Sequence, residues 1–520
     1  MGVSRKFAAA SWHGTARLIA ACLLVLVPLQ AAPAADRADV LGALESITAA
    51  ELQRHVDVLA DDTFEGREGG TRGGHAAANY LADHLQRYGL KPAGEAGSYF
   101  QGFGGNYRNL LGLLEGRDPE LRHEIIVVGA HYDHVGYGSP TNSYGPFGYI
   151  HNGADDNASG VAGLLEVMDA FQRLAEPPRR SILFAFWDGE EQGLLGSKHW
   201  TTAPTLPLDQ VVLAINVDMI GRLRSGKLEV YGARTAPGLR QLASRANQDP
   251  NLWLDFNWEM KANSDHYSFF ARRIPVLMLH TGLHEDYHRP SDDAHKINAA
   301  GIQQVASLLF NLTRELAEQD YVPAFRARSQ HESPHTQREL ERPLPLPPPR
   351  LGIAWNAEPA GGLIVTRVTP GTPAARSGLA RGDRLVALDD VPIEDEHAFR
   401  YRILSAAEPV RIAYERGGQP AQTAVITLDG SPSRIGITWR EDDGEPGAFL
   451  LIQVVPGSPA QLAGLKPGDR IYEADGQTFR STDELARWLH AARGPLELVI
   501  ERRGQLHRLT VPLEPVELGG

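Results

Sequence analysis

The chain has 520 residues, more than one hydrophobic core usually organises, and its composition of 42% hydrophobic and 22% charged residues is that of a soluble multidomain protein. A formal net charge of -13 and a sequence pI of about 5.8, without a run of clustered Lys and Arg, exclude a phosphate-tracking surface and with it a nucleic-acid binder. The only cysteine, Cys22, excludes a disulfide framework, so bound metals would depend on His and carboxylates.

Arg5, Lys6 and Arg17 precede the apolar run Leu18 to Leu29, which ends in the small residues Ala31 to Ala35. This pattern predicts a cleaved export signal over residues 1–35, a periplasmic or secreted protein, and no stable membrane span after signal removal. Ile19-Ala20-Ala21-Cys22 has the outline of a lipoprotein box, but His13 and Arg17 interrupt the stretch that should precede it.

Residues 36–320 alternate short apolar runs with helical patterns, predicting an α/β domain whose mostly parallel central sheet has helices on both faces. Ile125 to Val128, Ser181 to Phe186, Val211 to Val217 and Val276 to Leu279 are nearly continuous and rich in branched or aromatic residues, as strands buried on both faces require. Each leads into polar, ionisable residues, and ligands in open α/β sheets bind beyond the carboxyl ends of the strands.

The first such loop carries His131-Tyr132-Asp133, a metal ligand type followed by a carboxylate able to orient a neighbour. The second, Asn152-Gly153-Ala154-Asp155-Asp156-Asn157-Ala158-Ser159-Gly160, also suits the capped start of the helical run Val161 to Leu174. The third places Glu190 beside Glu191 just past a strand; adjacent side chains diverge, so one can hold metal while the other faces substrate. Asp218 ends the next strand, and His284-Glu285-Asp286-Tyr287-His288 follows the last. Each loop has an ordinary reading alone; together, in order and each behind a predicted strand, they describe a metal site.

These motifs resemble the co-catalytic zinc exopeptidase family that contains bacterial leucyl aminopeptidases and is related to glutamate carboxypeptidases and glutaminyl cyclases. The resemblance covers roughly residues 45–318 and includes Glu65-Gly66-Arg67 and Tyr88-Gly89-Leu90-Lys91-Pro92. It implies two zinc ions, with Asp156 bridging both, His131 and Asp218 completing one site, and Glu191 and His288 the other; Asp155 is the alternative bridge. Glu190 is implied as general base, Asp133 as the carboxylate fixing His131, and Tyr287 as a donor to the tetrahedral oxyanion. Ser264 with its neighbours is expected to support the site, and His134, His151, His266, His280 and His284 to be structural. The implied activity is removal of N-terminal residues from peptides through a zinc-activated water, with a carboxypeptidase or a glutaminyl cyclase-like enzyme as alternatives.

Residues 321–350 are charged and then Pro-rich, ending in Pro343-Leu344-Pro345-Leu346-Pro347-Pro348-Pro349, which predicts an extended linker. Beyond it Pro370-Gly371-Thr372-Pro373-Ala374 and Gly378-Leu379-Ala380-Arg381-Gly382-Asp383 recur as Pro456-Gly457-Ser458-Pro459-Ala460 and Gly464-Leu465-Lys466-Pro467-Gly468-Asp469. Leu351-Gly352-Ile353 is answered by Ile435-Gly436-Ile437. This repeat resembles PDZ domains of bacterial extracytoplasmic proteases, over 351–430 and 433–516. It implies peptide or protein C-termini as partners beside the peptide substrates, and allows a binding scaffold with an inactive peptidase domain as the competing reading.

Overall fold

The computed structural model describes residues 34–345, 349–359, 361–430, 432–492 and 494–513. Nearly all of the export signal expected over 1–35 lies outside them. Among the described residues no helix is long and apolar enough to cross a membrane.

Helices α1 (Ala34–Ser46), α2 (Ala49–Leu59) and α3 (Arg72–Arg87) precede strands β1 (Lys91–Pro92), β2 (Phe100–Phe103) and β3 (Tyr107–Leu114). The chain then runs through β4 (Ile125–His131), α4 (Gly160–Gln172), β5 (Ser181–Trp187), α5 (Leu195–Thr202), β6 (Val211–Val217), β7 (Lys227–Tyr231), α6 (Leu239–Ala246), β8 (Trp253–Asn257), α7 (His266–Phe270), β9 (Val276–His280) and α8 (Ala299–Glu318). The sheet order is β1-β3-β5-β4-β6-β9-β7-β8, with β2 beside β3.

The four central strands β5, β4, β6 and β9 are parallel and fully or almost fully buried, as their unbroken apolar runs require. Alternate residues serve two cores. Ile126, Phe184 and Ile215 meet α2, α4 and α8, where Phe171 lies 4.8 Å from Phe310, whereas Val127, Leu183 and Trp187 meet Trp200 and Phe269 on the other face. The flanks differ from a parallel sheet, since β3 runs antiparallel to β5 and β7 antiparallel to β9. In β7, Leu228 and Val230 are buried while Lys227, Glu229 and Tyr231 are half-exposed, the alternation of a strand covered on one face.

The segment expected as a spacer carries α9 (Pro334–Glu341), started by a reciprocal cap between Ser333 and Thr336. The first repeat contains β10 (Ile353–Ala357), β11 (Leu363–Val368), α10 (Pro373–Arg376), β12 (Arg384–Leu388), β13 (Val391–Pro392), α11 (Glu396–Ser405), β14 (Val410–Glu415) and β15 (Gln422–Ile426). The second contains β16 (Ile437–Glu441), β17 (Phe449–Val454), α12 (Pro459–Leu462), β18 (Arg470–Ala474), α13 (Thr482–Ala491), β19 (Leu496–Arg502) and β20 (Gln505–Val511). Both sheets are antiparallel and each encloses its own core. The recurring Gly-Asp and Glu-Arg pairs meet in space: Arg416 Nε donates to Asp383 and Arg502 Nε to Asp469, at 2.6 Å in each repeat.

The second repeat is fastened to the α/β domain. Arg234 donates to Glu332 at 2.8 and 2.9 Å and to Asp442 at 2.8 Å, and Arg240 reaches Glu501 at 3.0 Å. Leu254 N–H donates to the Arg503 carbonyl, and Asn247 Nδ2 to the Gly504 carbonyl. A Cβ on Gly504 would stand 2.4 Å from Leu254, so this turn needs glycine for close approach as well as for its positive φ. Arg234→Ala leaves buried Asp442 without its guanidinium, while Glu332 keeps Arg326 at 2.7 and 2.9 Å, at a cost of about 3 kcal/mol. The expected result is a lower thermal midpoint with earlier proteolytic release of the second repeat; an unchanged midpoint would show that this network adds no stability.

Candidate metal centre

The carboxyl ends of β4, β5 and β6 and the loop after β9 open on one cavity of about 470 Å³, lined by His131, Asp156, Glu190, Glu191, Asp218, Tyr287 and His288. His131 Nε2 lies 3.2 Å from Asp218 Oδ1 and 3.4 Å from Asp156 Oδ1. His288 Nε2 lies 3.2 Å from Asp156 Oδ2 and 3.1 Å from Glu191 Oε2. The two oxygens of Asp156 are therefore divided between two clusters. Asp155 turns away: its Oδ1 accepts from Gly221 N–H at 2.6 Å and Ser159 Oγ at 2.9 Å, and its Oδ2 lies 3.0 Å from His284 Nε2.

The polar side chains around Asp156 in this loop have structural tasks. Asn157 donates to the carbonyls of His131 and Val217 and accepts from Gly160 and Met219 N–H, tying the ends of β4 and β6 together. Asp292 accepts the N–H groups of Asp155 and Asp156 at 2.9 and 3.0 Å. Asp133 accepts from Glu190 and Glu191 N–H at 3.1 and 3.4 Å, setting the turn that separates those side chains, and its own carbonyl lies 3.2 Å from His131 Nδ1. Ser264 donates to Asp218 Oδ2 at 2.7 Å, leaving Oδ1 for the centre.

The donor set fits a pair of divalent cations. Zinc bonds to His and carboxylate of about 2.0–2.2 Å in a tetrahedron space the donors about 3.3 Å apart, close to the four separations above. His288 Nε2 is buried and makes no well-directed hydrogen bond despite its two near carboxylates, as donors do when they converge on a common point. Burial, reinforced by Glu191, Asp265 and Asp218, pushes Glu190 well above the usual carboxylate range. Burial opposes ionisation of Asp218 too, but His131 and Ser264 hold it down at about 2. Tyr287 is raised far above its ordinary value, by burial first and then by Asp156 and Glu191, so its hydroxyl remains a donor. Its ring lies 3.9 Å from that of His288.

Two residues gain roles that sequence reasoning did not assign. His134, expected as structural, brings Nδ1 to 2.7 Å from Glu191 Oε1 and 3.7 Å from Asp156 Oδ2, and its burial favours the neutral imidazole that metals bind. The signal lay in its spacing, three residues after His131 on the same turn. Arg67 is almost wholly buried and donates to the carbonyls of Leu59, Tyr132, Asn152, Gly153 and Asp156, clamping the first two metal loops. Of the other histidines, His151 contacts Ser143 at 2.6 Å, His284 holds Asp155, His280 accepts from Gly282 N–H, and His266 is buried without a hydrogen bond among the described residues.

Residues 109–313 match peptidase family M28, and residues 364–416 and 452–502 match the PDZ domain. The chain is 28% identical over 300 residues to leupeptin-inactivating enzyme 1 of Streptomyces exfoliatus, a match covering 57% of this chain and 62% of that one. It is 30% identical over 274 residues to leucine aminopeptidase 1 of Trichophyton rubrum, covering 47% of this chain and 68% of that one. An aminopeptidase structure from Aneurinibacillus sp. strain AM-1 aligns with a TM-score of 0.44 at 16% identity, over 55% of this chain and 98% of that one.

Proposed function

Since the chain belongs to peptidase family M28 and carries two PDZ domains, we propose that it is an exported, zinc-dependent exopeptidase that removes N-terminal residues from peptides. The observation that carries this reading is the division of Asp156 between two clusters of donors, His131 with Asp218 and Glu191 with His288. His134 stands beside the second cluster as a further imidazole. When bound, two divalent ions supply Lewis acidity to the scissile carbonyl and lower the pKa of the attacking water.

The protein does the rest. Glu190, held high by burial, takes a proton from the water and returns it to the departing amine. Tyr287 donates its O–H to the oxygen that becomes negative in the tetrahedral state. Asp133 positions both Glu190 and Glu191 through their N–H groups, and Arg67 keeps the loops in register. The PDZ domains bind peptides or partner proteins.

A panel of aminoacyl chromogenic substrates, assayed with and without a chelator, tests this. Hydrolysis that the chelator abolishes and added zinc restores is the expected outcome. Cleavage confined to N-terminally blocked peptides would overturn the aminopeptidase reading.

A further inference from the structure

The two PDZ domains differ where strand faces helix, and from that difference we infer that the second one tethers the C-terminus of a substrate peptide and directs its N-terminus to the metal centre. The inference rests on the aminopeptidase reading and names the substrate class: polypeptides with a free C-terminal carboxylate, long enough to reach both sites.

In the first domain the groove between β10 and α11 is latched. Trp355 Nε1 donates to Glu396 at 3.0 Å, and the Arg400 guanidinium lies 4.6 Å over the Trp355 ring, so strand and helix are bridged by one another's side chains. The second domain has Trp439 at the same place on β16, but α13 lacks the latch. Phe399 and Ile403 of α11 match Leu485 and Leu489 of α13, all four buried, which aligns Glu396 with Thr482 and Arg400 with Ala486. Ala486 offers no acceptor, the Thr482 hydroxyl makes no bond to the indole, and among the described residues Trp439 Nε1 is buried without a partner. β16 is also an edge strand, with β17 as its only neighbour among the described residues, so its outer side can take an added strand.

The groove has a polarity. At its start the Gly436 carbonyl is taken by Val455 N–H, which in a trans peptide turns the Ile437 N–H the other way, while Gly436 N–H donates to Ser433 Oγ at 2.9 Å. Arg434 sits beside this turn, donating to the carbonyls of His490 and Ala492, and has no carboxylate partner among the described residues. The outward Ile437 amide and an unneutralised cation suit a C-terminal carboxylate. At the far end Glu441 accepts from Thr482 N–H, and Glu441 and Arg480 line a cavity of about 580 Å³ together with Trp258 and Arg234 of the catalytic domain. Trp258 is three residues from Lys261, which lines the catalytic cavity, a step of at most about 11 Å of chain. A peptide anchored by its C-terminus therefore leaves the groove N-terminus first, towards the metal ligands. The polarity matches an enzyme that consumes N-termini; the reverse placement would serve a carboxypeptidase.

The test uses the full chain and a series of peptides of about 5 to 25 residues, roughly 15 to 80 Å when extended, each made as free acid and as C-terminal amide with a mid-chain fluorophore. Release of the N-terminal residue and fluorescence anisotropy are both followed. For long peptides the free acid is expected to have a KM and a Kd about tenfold below those of the amide, with no difference for the shortest. The double variant Thr482→Glu, Ala486→Arg, which transfers the latch, is expected to bring that ratio to one. Because the ratio is taken within one protein, a general loss of activity cancels. Equal values for acid and amide at every length overturn the tether while leaving the aminopeptidase reading intact. A ratio that survives in the latched variant overturns the assignment to this groove. If no peptide loses its N-terminal residue, the aminopeptidase reading falls, and anisotropy alone still decides whether the groove selects a carboxylate.

Discussion

Glu190→Gln is expected to leave the metal content unchanged and to lower kcat by about 10²–10⁴-fold, with little change in KM. Glutamine keeps the shape and the backbone N–H that Asp133 holds, and Glu190 is not among the residues whose donor atoms cluster around Asp156. Glu190 and Glu229 are the carboxylates on the cavity wall outside those clusters, and what is removed is the one whose pKa burial raises beside the paired ligands. Elemental analysis beside steady-state kinetics separates the two effects. A near-normal rate would mean that the proton moves by another route.

Asp156→Asn should remove metal as well as turnover, because an amide offers one acceptor and two donors where the carboxylate offered an oxygen to each cluster. Bound zinc is expected to fall from about two ions per chain to one or none, with activity reduced to background. Asp155→Asn is the informative companion. Its carboxylate accepts from Gly221 N–H and Ser159 and meets His284, so losing it should destabilise the loop while both ions remain. If Asp155→Asn lost the metal and Asp156→Asn kept it, the bridging assignment would be reversed.

The candidate centre is legible in the sequence because its residues follow strands whose burial on both faces imposes unbroken apolar runs, from Ile125 to His131 and Val211 to Val217. Such a run also tells which end carries chemistry. The flanking strands β7 and β8 were not legible in the same way: with one face covered, their alternation is short and shared with many loops. The choice of Asp156 over Asp155 comes from the family resemblance, because which side of the turn each side chain takes leaves no mark in the local pattern. His134 reads as structural for the same reason, since a histidine after His131 and Asp133 can face either the core or the cluster. The docking of the second PDZ domain through Arg234 and Arg240 joins residues more than 200 positions apart, beyond the reach of any local pattern.

That docking also bears on how the polypeptide matures. Arg240 and Asn247 are buried in the catalytic domain, yet their partners, Glu501 and the Gly504 carbonyl, belong to a hairpin made more than 250 residues later. Until that hairpin emerges, a guanidinium and an amide on the flank of α6 stay open to water. A chain cut short before residue 501 would keep every candidate metal ligand and still leave this flank unfinished, so truncation would surface as a folding defect far from the candidate centre.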